Sequence, residues 1–218
     1  IAAAGGLANT DIILFPEVPF EKAKFIEAVD SAVKTQGHCI IVASEGAQDA
    51  EGNFLADAGT VDAFGHKQLG GVAPTIASMI REELGLKYHW ALADYLQRSA
   101  RHLSSKSDLD HAIAVGQKAV EYAIEGQNAV MPAIIRTGNN PYTWEIQSAP
   151  LDQIANVEKM LPAEYIREDG YGITEEARTY LKALIAGEAV TPWKDGLPVH
   201  AKLEGVLIDK KLADWSSN

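Results

Sequence analysis

Residues 11–44, DIILFPEVPFEKAKFIEAVDSAVKTQGHCIIVAS, set a short apolar run, a helical pattern and a second apolar run in succession. DIILF, bounded by Pro16, suits a strand of a parallel sheet, where both faces are covered. Over residues 20–36, Phe25, Ile26, Val29, Ala32 and Val33 repeat on one helical face. Glu21, Lys22, Lys24, Glu27 and Asp30 fall largely elsewhere, and Gly37 supplies the stop. HCIIVAS then reads as a second strand, with Cys39 a small buried apolar residue on it. Strand, helix and strand in that order predict an α/β fold with a mainly parallel sheet.

On the N-terminal side, IAAAGGLA opens without a methionine, in small apolar residues that look like the last turns of a buried helix, which predicts a piece of a longer polypeptide. On the other side, residues 45–72 are rich in glycine, lack sustained periodicity and read as a long loop. Pro74 then suits a first helical position, Ile76, Ala77, Ile80 and Leu84 share a face, and Gly85 ends the helix. YHWALA, residues 88–93, reads as a third strand. Ser107 with Asp110 resembles an N-cap with an acid in the first turn. The helix it opens carries Leu109, Ala112, Ile113, Gly116, Ala119, Val120 and Ala123 on its apolar face and stops at Gly126. Gly116 predicts close approach to a sheet, because glycine weakens a helix unless packing compensates.

NAVMPAIIR and YTWEIQ flank TGNNP as a hairpin or two edge strands. The less regular tail holds a helix near 174–186, with Thr174 as cap and Tyr180, Leu181, Leu184 and Ile185 inward, and a strand at LPVHAKL. These patterns divide the chain into an α/β domain, 1–150, and an extension, 151–218, that packs on it.

With 218 residues, 47% of them hydrophobic and 22% charged, the chain has the material of an ordinary globular protein. A formal net charge of −11 argues against a general nucleic-acid or anionic-membrane binder, since such affinity comes from neutralising phosphates with basic patches. A small anionic ligand stays compatible with it where positive charge is local. The single cysteine forms no intramolecular disulfide and suits an intracellular, cytoplasmic chain. No apolar run approaches the roughly 18 to 20 residues of a membrane-spanning helix.

In open α/β sheets ligands gather beyond the carboxyl ends of the strands. Two groups fall there. Glu17 follows the first strand in PEVPF, between prolines that restrict the backbone; alone, the stretch also fits a solvated loop carboxylate. Tyr95, Arg98, Arg101 and His102 follow YHWALA in DYLQRSARH, where arginine offers a planar donor fork for phosphate or vicinal oxygens. Basic residues pairing with surplus acids are the plainer reading of that cluster. Together, an acid for sugar hydroxyls and a cationic strand end describe a sugar-phosphate pocket.

A third stretch, GHKQLGG, frees backbone N–H groups near a helix start and adds Lys67, yet departs from both common phosphate-binding fingerprints, and loop packing accounts for it. Asp49, Glu51, Asp57 and Asp62 do not reproduce the calcium-loop spacing. His66, His89, His102, His111 and His200 form no zinc-ligand pair. No metal site is therefore expected in this chain.

PEVPF, IIVASEGA, GHKQLGGVAPTIASMIREELGL, the run from DYLQRSARHLSSKS to MPAIIR, and DGLPVHAKL together resemble the C-terminal half of 6-phosphofructokinases, most closely the pyrophosphate-dependent bacterial branch. The resemblance implies a three-layer, Rossmann-like parallel sheet with helices on both faces. It implies transfer of a phosphoryl group from pyrophosphate to the 1-hydroxyl of fructose 6-phosphate in glycolysis, with Mg2+ bound to the donor by ligands outside this chain, and a homodimer. Glu17 matches the family glutamate that bonds the sugar. Tyr95, Leu96, Gln97 and Arg98 match the family's H/Y-x-Q-R motif, which places them at the substrate. Where many ATP-dependent relatives carry histidine followed by arginine-glycine-glycine, this chain reads YLQRSA. Lys87 or His89 stands nearest to the family position from which a neighbouring subunit reaches the 6-phosphate. The glycine-rich donor loop and the T-I-D-x-D segment with the catalytic aspartate would precede residue 1, so no catalytic residue is expected here. An ATP-dependent member of the family and a non-catalytic sugar-phosphate sensor are the alternatives.

Overall fold

The computed structural model describes residues 1–61, 67–69, 71–209 and 211, leaving the side chains of 57–61, 67–69 and Gln97 outside that description. The strand-helix-strand unit is β1 (Ile12–Leu14), α1 (Lys22–Gln36) and β2 (Ile41–Ala43). β1 and β2 run parallel, with Ile12 opposite Ile41 and Leu14 opposite Ala43. Gly37, at φ 84°, ends α1 in the left-handed conformation that glycine adopts without a Cβ penalty.

Successive side chains of a strand point to opposite faces, and β1 is buried on both. Ile12 and Leu14 join Phe25 and Val29 of α1 and Val72, Ile76 and Ile80 of α2 (Val72–Leu84) in one core. Ile13 and Phe15 join Ala3, Ile173 and Ala177 in another. The fold is thus α/β, with helical layers on both sides of a parallel pair. The opening residues form a 3-10 turn, Ala2–Leu7, that lies close against the second core. A Cβ added to Gly6 there would stand 2.5 Å from Ile173.

Several expectations change. Residues 45–72 are not one loop: β3 (Asp57–Val61) and β4 (Lys67–Leu69) pair antiparallel, with Val61 opposite Lys67. A ladder made by backbone groups leaves little trace in so small-residued a stretch. Pro74 is the third helical residue rather than the first; the N–H it lacks is one of those that a first turn leaves without an acceptor. Residues 88–93 carry no strand, and Trp90 and Leu92 are exposed. Their aromatic and apolar content suits a pleated surface, but a strand needs a ladder partner, and no described strand pairs with them.

The short α3 (Leu96–Ser99) follows, then α4 (Lys106–Ile124). Ser105, not Ser107, caps α4, accepting the Asp108 N–H at 3.1 Å. Asp110 pairs one turn back with Lys106. The expected apolar face of α4 is largely open, with Ile113 51% and Val120 60% exposed, while the buried positions are His111 and Tyr122. Nothing stands within 4 Å of a Cβ built on Gly116, so the close approach expected there is absent among the described residues.

The hairpin is confirmed as β5 (Val130–Asn139) and β6 (Tyr142–Pro150), with a register shift between Arg136 and Gly138. α5 (Glu175–Leu184) is capped by Thr174 as expected, its hydroxyl accepting from the Ala177 N–H. Ala177 is buried and Leu181 packs beside it, whereas Tyr180 and Ile185 are exposed rather than inward. Of LPVHAKL only Leu197–Pro198 (β8) is a strand, paired with Trp193–Lys194 (β7). Cys39 sits just before β2, half-buried against the first core.

Candidate functional site

β1 ends at Leu14, and the chain turns at Pro16 to present Glu17 beyond its carboxyl end. The half-buried carboxylate is held from far along the sequence: Oε1 accepts the backbone N–H of Leu161 at 2.8 Å. Leu161 packs on the second core, so the tail fixes this acid. One oxygen is thereby engaged and the other has no partner among the described residues.

The second group is built on a tight turn. Asp94, at φ 43°, takes the left-handed conformation that aspartate tolerates better than most residues. It delivers Tyr95 to the start of α3, where the Arg98 N–H bonds back to the Tyr95 carbonyl at 2.9 Å. That single turn sets the Arg98 guanidinium 5.5 Å from the centre of the Tyr95 ring, within reach of a cation–π attraction. Arg98 is exposed and forms no ion pair among the described residues, despite the chain's excess of acids. Tyr95 and Leu96 are 68% and 69% exposed; the side chain of Gln97 lies outside the described residues.

Tyr95 and Arg98 are therefore together, while no hydrogen bond or ion pair among the described residues joins Glu17 to them. The remaining cations divide. Lys106 is committed to Asp110 at 2.6 Å. His102 meets the edge of Trp193, ring centres 5.8 Å apart. Arg101 is half-buried, and its Nη1 lacks a hydrogen-bond partner among the described residues. Lys87 and His89 are exposed on the irregular segment after α2. His66 lies outside the described residues, as does the Lys67 side chain. Among the described residues no group of three or more His, Cys, Asp or Glu side chains could hold a metal ion, and no helix is long and apolar enough to cross a membrane.

Sequence reasoning missed the Glu17–Leu161 bond, which spans 144 positions and uses a backbone donor, so no residue type announces it. It also missed a small cavity at the end of β1, between Phe15, Phe20 and Tyr171, with Lys24 and Asp169 on its wall.

A family model described as Phosphofructokinase matches residues 1–123. The chain is 54% identical, over 99% of its length, to a protein of Halomonas elongata named pyrophosphate–fructose 6-phosphate 1-phosphotransferase, of which it covers 53%. A protein of the same name from Methylococcus capsulatus is 53% identical over 98% of the chain and is covered over 52% of its own length. The crystal structure of a pyrophosphate-dependent phosphofructokinase from Nitrosospira multiformis superposes with a TM-score of 0.83 at 50% identity, covering 99% of this chain and 52% of that one. The chain thus spans about half the length of the curated relatives it matches.

Proposed function

Since the chain belongs to the phosphofructokinase family, we propose that it supplies the sugar-phosphate-binding part of an enzyme that transfers a phosphoryl group from pyrophosphate to the 1-hydroxyl of fructose 6-phosphate. One observation carries this reading: identity of 50% or more, over nearly the whole chain, with relatives and a solved structure whose names specify pyrophosphate as donor.

In the reaction the 1-hydroxyl oxygen bonds to one phosphorus of pyrophosphate and the bridging P–O bond breaks. Phosphate leaves with the electron pair, and the hydroxyl proton passes to a base. No residue of this chain is assigned as that base. Its task is positioning, which supplies much of the rate in phosphoryl transfer. Arg98 offers donors to substrate oxygens, with its guanidinium within cation–π reach of the Tyr95 ring. Leu96 and Gln97 span the turn between them. Glu17 accepts from sugar hydroxyls through the oxygen that Leu161 leaves open. Mg2+ bound with the donor would supply charge neutralisation there, and no residue of this chain is assigned as its ligand. The enzyme is proposed to be a cytoplasmic homodimer acting in glycolysis.

The test is fructose 1,6-bisphosphate formation by the complete polypeptide carrying this chain, with Mg2+ and either pyrophosphate or ATP. Turnover with pyrophosphate alone is expected. Turnover with ATP alone overturns the donor assignment, and activity with neither leaves a sugar-phosphate sensor as the function.

A further inference from the structure

Glu17 lies within residues 1–123, the part that the family model matches, but the donor that holds its carboxylate, the Leu161 N–H, lies beyond it. Leu161 belongs to the extension, and the extension meets the Glu17 loop at more than that one point. The Ile13 N–H donates to the Tyr171 carbonyl at 2.9 Å, which ties the extension to β1 itself. A Cβ built on Gly170, at φ 77°, would stand 3.2 Å from the Val18 side chain, so the turn there bears on the residue next to Glu17. Val18, Leu161, Tyr165 and Ile166 all pack against the second core.

The two partners differ in how firmly each holds itself. Within the extension, the Arg167 N–H donates to the Gly172 carbonyl at 2.9 Å and the Gly170 N–H to the Arg167 carbonyl at 2.8 Å. Arg167 Nη2 stands 2.6 Å from Asp169 Oδ2, and the Asp169 carboxylate also accepts the Tyr171 N–H at 2.9 Å. Inside the Glu17 loop, between Phe15 and Phe20, the backbone makes one bond with itself among the described residues, from the Val18 N–H to the Phe15 carbonyl at 3.4 Å. That is beyond the usual range of roughly 2.7 to 3.2 Å. A glutamate on such a loop samples many rotamers, and freezing them when substrate arrives costs affinity. The Leu161 N–H removes part of that cost in advance, holding Oε1 and leaving the other oxygen to accept from substrate.

We propose that residues 161–172 are a positioning element for sugar binding, in which the Leu161 N–H presets the Glu17 carboxylate for a hydroxyl of fructose 6-phosphate. The role rests on the reading of Glu17 as a sugar ligand. Leu161 is a positioning residue: it acts through Glu17.

The test is a kinetic double-mutant cycle in the complete polypeptide. Replacing Leu161 by its α-hydroxy analogue turns the N–H into an ester oxygen and keeps the side chain, so its packing is retained. The ester should raise the KM for fructose 6-phosphate about tenfold, the scale of one hydrogen bond to a charged group, and leave the KM for pyrophosphate unchanged. In a Glu17→Ala background it should have no further effect, whereas the effect of a merely structural change would persist there. Should the ester-bearing protein fail to fold, Gly170→Ala, which crowds Val18 from the other side of the loop, goes through the same cycle with the same expectation. A KM that the ester leaves unchanged although Glu17→Ala raises it overturns the positioning role alone, and so does an effect that persists without the Glu17 carboxylate. Glu17→Ala without effect on that KM overturns the reading of Glu17 as a sugar ligand, and the positioning role with it.

Discussion

Single side chains hold the ends of β1 in register with distant chain. Asp11, just before it, accepts the Ile40 N–H at 2.6 Å and the Gln36 amide at 2.7 Å, tying the start of β1 to the approach of β2. Burial alone would raise its pKa, but these two bonds, with His38 nearby, hold it below the usual carboxylate value. A carboxyl whose folded pKa is depressed stabilises the fold above its unfolded pKa, about 3.9, and loses that contribution as pH falls through the folded value. Urea midpoints should therefore drop on acidification below about pH 4, and the Asp11→Asn variant should drop less steeply. Cys39 shows the opposite sign, since burial pushes its thiol up to about 11. Iodoacetamide should label it slowly at pH 8 and faster as pH rises toward 11. Rapid labelling at pH 8 would contradict that burial. HCIIVAS made Cys39 read as a buried strand residue, and it stands only half-buried, just before β2, against the first core; that Glu17 is braced by Leu161 was not legible at all, because a backbone donor carries no sequence signature.

Among the elements, those whose side chains alternate or repeat against a core were readable, and those held by backbone alone were not. α1 and α2 carry the period of the face they bury, and β1 and β2 are the continuous apolar runs of a covered parallel pair. The β3–β4 ribbon, in a glycine-rich stretch, and the strandless residues 88–93 show the two ways that period misleads. α4 offers a sharp test of cap assignment, because Ser105 and Ser107 both precede acids at capping distance. Only Ser105 caps, and its hydroxyl also donates to the Leu184 carbonyl at 2.8 Å. Ser105→Ala should cost about 1 to 2 kcal/mol, read as a lower urea midpoint, whereas Ser107→Ala should leave it nearly unchanged. The two serines differ in sequence only by register, so spacing does not separate them; the docking of residues 184–188 onto the start of α4 does.

At the scale of the whole molecule, large apolar side chains remain uncovered on the outer face of α4, at Ile113, Val120 and Ile124, and along Leu203, Val206, Leu207 and Ile208. Monomeric proteins rarely leave contiguous patches of this kind open. Residues 1–218 alone should therefore bind a hydrophobic dye and scatter light on concentration, and the complete polypeptide should do neither. The helical spacing of the α4 face predicted that it is apolar but not what it meets. The α/β class was legible from the 11–44 stretch, and the three-layer arrangement around β1 only from the family resemblance. The pairing of Tyr95 with Arg98 followed from their motif, and the sequence-distant brace on Glu17 had to be seen in three dimensions.

The central claim is that this chain grips the sugar phosphate through Arg98. Its most direct test is the steady-state kinetics of Arg98→Ala in the complete polypeptide, with fructose 6-phosphate and pyrophosphate varied separately. Loss of a charge-assisted hydrogen bond, about 1.5 to 3 kcal/mol, should raise the KM for fructose 6-phosphate about tenfold to a hundredfold and leave the KM for pyrophosphate unchanged. An unaltered KM and kcat for fructose 6-phosphate would remove Arg98 from the site and contradict the account.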